Sequence, residues 1–87
     1  MTPIFRSLFR NVTYTCHLCR ARQRIPLRRV HFFERFHQLV NGEPLLIACP
    51  ACGEGLQTPS SYRTHTGQLV DISPYAVPDN AVIHSSY

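Results

Sequence analysis

Two C-x-x-C pairs, one apolar stripe at helical spacing and several short period-two runs predict that this chain of 87 residues is a small α+β domain stabilised by a metal ion. A chain of this length buries a smaller fraction of its surface than a larger one, so a small core benefits from a staple. With 44% apolar and 16% charged residues it has the composition of a folded domain rather than of a disordered tail. Residues 1–73 are expected to form a single four-cysteine zinc-binding domain. Residues 74–87, with two further prolines and little helical periodicity, are expected to form an extended or mobile C-terminal arm that packs back, if at all, through Val77, Val82 and Ile83.

The elements follow in chain order. Thr2 and Pro3 suit an N-cap and first helical position, and Ile4, Phe5, Leu8 and Phe9 then share one face of a short helix. Residues 12–16, VTYTC, alternate apolar and polar types as a half-buried strand does, which delivers Cys16 to a turn. From Arg20 to Arg29 the basic residues are interrupted by Ile25, Pro26 and Leu27, which favours an extended edge strand over a helix running across Pro26. In VHFFERFHQLVNG, Phe32, Phe33, Phe36, Leu39 and Val40 fall on one helical stripe expected to face the core, and Asn41-Gly42 ends the helix. Residues 44–49 lead as a short strand into the second cysteine pair, and residues 67–73 are a further candidate strand.

Cys16, Cys19, Cys49 and Cys52 supply four thiolates, enough for the closed tetrahedral shell of one structural Zn²⁺. A two-residue spacer lets both sulfurs of a pair point at one ion. In the second pair Pro50 stiffens the loop, and Gly53 can take the positive φ that such a turn requires. A disulfide framework would need an oxidising compartment, for which there is no signal. Thioredoxin-like chemistry would need one C-x-x-C at a strand-to-helix junction of a longer α/β chain. A rubredoxin-like iron site shares only the ligands.

Through CHLC and CPACG the chain resembles the zinc-ribbon and related four-cysteine zinc-knuckle superfamily, over the knuckles and their adjoining strands. The resemblance implies zinc-ribbon-like β-hairpins, here with an inserted amphipathic helix, and a setting in transcription, translation or nucleic-acid processing. The chain departs from the pattern in two places. The 29 residues between Cys19 and Cys49 exceed the usual spacer, and Arg20 stands where a Gly is frequent. The Phe-rich helix accounts for the extra length, and a treble clef is the alternative arrangement.

Charge is unevenly spread. Residues 1–35 hold eight Arg and one Glu, a charge of +7, and residues 36–87 hold Arg63 against Glu43, Glu54, Asp71 and Asp79, a charge of −3. On an extended strand Arg20, Arg22 and Arg24 project from one face at roughly 7 Å intervals, and Arg28 and Arg29 prolong the positive region. Such a strip suits phosphates, although a solvated edge strand protected by charge would read the same way. The leading expectation is a small zinc-binding regulatory protein that binds DNA or RNA through Arg20, Arg22, Arg24, Arg28 and Arg29, in the control of transcription. The alternative is an interaction adaptor or inhibitor that docks on an acidic protein surface of an enzyme or of the transcription machinery. No nucleophile–base–acid arrangement, open three-ligand metal site or Gly-rich phosphate loop can be read in the chain, so neither an enzyme nor a small-molecule substrate is expected. No apolar run approaches a membrane span and no signal-peptide pattern is present, which predicts an intracellular, cytoplasmic protein.

Overall fold

The period-two run becomes β1, Asn11–Cys16, in which Val12, Tyr14 and Cys16 are buried while Thr13 and Thr15 lie on the opposite, half-exposed face. The computed structural model describes residues 10–73 and 75–85, so the helix expected over residues 2–10 lies, Arg10 apart, outside the described residues. β1 pairs antiparallel with β2 (Arg22–Pro26), setting Val12 opposite Ile25 and Thr13 opposite Arg24. A second hairpin, β3 (Leu45–Ala48) with β4 (Leu56–Pro59), joins the first through antiparallel β1–β4 pairing.

The C-terminal stretch contributes one more strand. Val82–His84 forms β7, which runs parallel to β3 and closes a mixed sheet of order β2-β1-β4-β3-β7. The remaining strands, β5 (Tyr62–Arg63) and β6 (Leu69–Val70), make a separate two-stranded ribbon. Of the strand expected over residues 67–73, only this short piece forms. With a single helix among the described residues, the arrangement is α+β.

That helix, α1, spans Leu27–Phe36 and differs from expectation at both ends. It begins directly after Pro26, whose extended backbone turns the chain, and the Leu27 N–H donates to the Arg10 carbonyl at 2.8 Å. The extended run expected through Arg29 therefore stops at Pro26, and Arg28 and Arg29 sit in the first helical turn. At the other end Gln38, at φ 59°, takes the left-handed position ahead of Asn41-Gly42. The Leu39 and Gln38 N–H groups donate to the Glu34 and Arg35 carbonyls, a Schellman closure.

The buried face is not the expected stripe. Val30, Phe33 and Glu34 point inward, whereas Phe32, Phe36 and Val40 are exposed, so only Phe33 and Leu39 of the expected stripe reach the core. The core lies between α1, the inner face of the sheet and the β5–β6 ribbon, with Val12, Tyr14, Ile25, Val30, Phe33 and Tyr62 among its members. Leu45 is held from two sides: Tyr14 donates its hydroxyl to the Leu45 carbonyl at 2.9 Å, and the Leu45 N–H donates to the Tyr62 hydroxyl at 3.3 Å. Burial pushes the Tyr62 phenol well above its ordinary range.

Candidate metal centre and the basic face beside it

Each hairpin carries one cysteine pair at its turn, and β1–β4 pairing sets the two turns side by side. The knuckles are built alike. The N–H groups of Cys16 and Cys49 donate to the carbonyls of Ala21 and Gly55, and those of Arg20 and Gly53 donate back to the carbonyls of Cys16 and Cys49. The left-handed residue after the second cysteine is Gly53 at φ 73° in one knuckle and Arg20 at φ 68° in the other. Arg20 thus adopts the conformation that the more frequent Gly would supply, at a cost of roughly 1 kcal/mol.

The four sulfurs lie within 4.8 Å of one another, with Cys16 and Cys52 3.8 Å apart and Cys19 and Cys49 3.7 Å apart. A disulfide would require about 2.05 Å. A tetrahedral metal with bonds of about 2.3 Å to sulfur places its ligands about 3.8 Å apart, so the cluster has the dimensions of a four-thiolate shell and can hold a metal ion. The first cysteine of each pair is buried and the second exposed.

Backbone donors tune the thiols unequally. Burial opposes the Cys16 thiolate, but the N–H groups of Cys19 and Leu18, both 3.4 Å from its sulfur, bring its pKa down to about 6. Cys19 gains from the Ala21 N–H but is raised to about 11 by burial and by the three neighbouring thiols. Cys49 is lowered, chiefly by the Cys52 N–H.

Gly55 is a site residue with no signature of its own in the sequence. A Cβ there would overlap the Cys16 sulfur and crowd Leu18 and Cys52, so only glycine lets β4 pass this close to the cluster. Its N–H donates to the Cys52 sulfur at 3.3 Å. His17, inside the first knuckle, is no ligand in this cluster. Its Nδ1 accepts the Leu56 N–H at 3.0 Å and ties the first knuckle to β4.

The five arginines of the expected strip are spread over three elements. Arg22 and Arg24 project from the outer face of β2 at the sheet edge, exposed, and with Thr13 and Gln23 they line a shallow cavity of about 450 Å³. Arg20 leaves the strand register and lays its guanidinium 3.9 Å above the ring of Tyr75, itself at φ 63°. Arg28 and Arg29 stand exposed on α1, beside Arg35, Phe32 and Phe33.

Three histidines outside the cluster, His37, His65 and His84, make specific contacts. His65 donates both its backbone N–H and its ring Nδ1–H to buried Glu34 at 2.8 Å, pairing groups 31 positions apart. His37 and His84 share a 3.0 Å hydrogen bond, and the His84 ring stacks on Phe33 with centroids 4.1 Å apart. Among the described residues no helix is long and apolar enough to cross a membrane. No family model, no curated protein and no solved structure matches this chain, so the functional reading rests on the geometry of the cluster and of the face beside it.

Proposed function

We propose that this chain is a zinc-stabilised, zinc-ribbon-like module that binds nucleic acid through Arg20, Arg22, Arg24, Arg28 and Arg29. Zinc is the metal that four soft thiolates at tetrahedral spacing suit best, and a shell closed by four protein ligands serves structure. The observation that carries the binding reading is the set of exposed guanidinium groups running from the first knuckle through β2 into α1. None of these arginines is ion-paired with a carboxylate among the described residues.

The first turn of α1 adds weight. Arg28 and Arg29 sit at the positive end of the helix dipole, with no acidic residue in that turn and no side-chain cap on Pro26. Each such cation costs the free fold about 0.3–1 kcal/mol, a cost that a phosphate would reverse by pairing with the guanidinium and the free N–H groups together. Placement against local stability supports a binding role over a merely solvated edge.

The test is a salt titration of oligonucleotide affinity for the zinc-loaded protein and for its Arg22→Ala, Arg24→Ala double variant. Losing two phosphate contacts lowers affinity and flattens the log–log salt slope by about 1.4 to 1.8. An unchanged slope and affinity would remove β2 from the interface. Absence of any affinity at low salt would redirect the arginines to an acidic protein surface.

A further inference from the structure

The structure exposes two aromatic rings where a core stripe was expected. Phe32 and Phe36 are 62% and 67% exposed, one helical turn apart on α1. A solvated helix face does not require two phenylalanines, and they do not stand alone. Arg28, Arg29 and Arg35 line a shallow groove of about 560 Å³ together with Phe32 and Phe33. The one carboxylate on α1, Glu34, is fully buried on the opposite face and bound to His65. The groove is therefore aromatic and cationic, without an acidic counterpart on the helix.

We propose that the ligand of this face is single-stranded nucleic acid, whose bases stack on Phe32 and Phe36 while the flanking arginines hold its phosphates; the proposal rests on the nucleic-acid reading above and narrows it. Exposed rings beside guanidinium groups are what unpaired bases recognise, since every base offers a π-face and every nucleotide a phosphate. A duplex hides those faces and presents only base edges in its grooves, where a phenylalanine ring finds no hydrogen-bond partner. The i, i+4 spacing sets the rings about 6 Å apart along the helix, so neighbouring unstacked bases can engage one each. An apolar protein helix would bury the rings equally well but would leave three guanidinium groups without phosphates. The charge thus favours the polyanion.

The experiment uses the full zinc-loaded chain and one mixed-sequence oligonucleotide, presented single-stranded or annealed to its complement. The chain contains no tryptophan, so Phe32→Trp and Phe36→Trp each install a unique reporter at an exposed position. The proposal predicts tighter binding of the single strand and quenching of both reporters by it. Phe32→Leu and Phe36→Leu, which keep apolar bulk without the π-face, each weaken single-strand binding about tenfold and leave the salt slope unchanged. Zinc content of each variant verifies the fold. Equal or tighter duplex binding with wild-type behaviour of the leucine variants overturns the single-strand assignment while a steep salt slope keeps the nucleic-acid reading. No binding of either form overturns both.

Discussion

At the scale of single residues, the four-cysteine cluster depends on glycine as much as on cysteine. Gly55→Ala drives a methyl group into the Cys16 sulfur, whereas Gly53→Ala meets no neighbouring atom and is disfavoured only by its φ of 73°. Competition against a chromophoric chelator is expected to show metal affinity falling about 100-fold for Gly55→Ala, of the order seen when groups supporting a ligand are displaced. For Gly53→Ala the expected loss is near 1 kcal/mol of stability, with the metal retained. Glu34 and His65 form the other residue-level dependence. Because Glu34 is fully buried, His65→Ala takes away the ring N–H it accepts, leaves it only the backbone N–H, and lowers the unfolding free energy by about 1–3 kcal/mol in thermal melts. Adding Glu34→Leu recovers part of that loss, since an apolar side chain needs no partner. Neither dependence could be read from the chain. Gly55 owes its role to a sulfur 39 positions earlier, and Glu34 to an imidazole 31 positions later.

At the scale of elements, α1 is where composition and folding diverge most. Its N-terminal turn carries two arginines against the dipole, so Arg28→Ala with Arg29→Ala is expected to raise the melting temperature slightly, or leave it alone, while weakening oligonucleotide binding. A parallel fall in both would mark these residues as structural. β1 and β2 were legible because their signals are local: Val12, Tyr14 and Cys16 face inward as the VTYTC pattern requires, and β2 lies at the sheet edge as its proline and arginines suggest. The helix was legible in existence but not in phase. An apolar stripe of five residues suggested an element running to Val40, yet Pro26 starts the helix at Leu27 and Gln38 closes it early. The stripe then divides between core and solvent. A charged residue taking a core position, as Glu34 does, defeats any reading based on hydrophobic periodicity. β7 escaped for a different reason, since its parallel pairing with β3 joins segments more than thirty residues apart and leaves no short-range trace.

At the scale of the whole molecule, the four sulfurs connect two hairpins at one end of the sheet, while α1 and the β5–β6 ribbon cover the inner face. A structural zinc supplies on the order of 10 kcal/mol or more to folding, comparable to the entire stability of a domain this size. Removing the metal should therefore collapse the sheet rather than loosen a loop. A metal held by the four thiolates would also fix the basic face, because Arg20 belongs to the first knuckle and β2 begins only two residues after it. β7 gives the C-terminal stretch a part in the sheet, so truncation after Ser73 tests folding before it tests any partner.

The most direct measurement is a fluorescence-anisotropy titration of oligonucleotide with zinc-loaded protein over a range of salt concentrations, repeated after stoichiometric chelation. A metal-fixed arginine face predicts affinity that falls with a log–log slope of about −3 to −5 in the loaded protein, as four or five phosphate contacts require. It also predicts loss of that binding, together with the β-sheet circular dichroism signal, when the metal is withdrawn. No binding at low salt, or binding and sheet content that survive chelation unchanged, would contradict it.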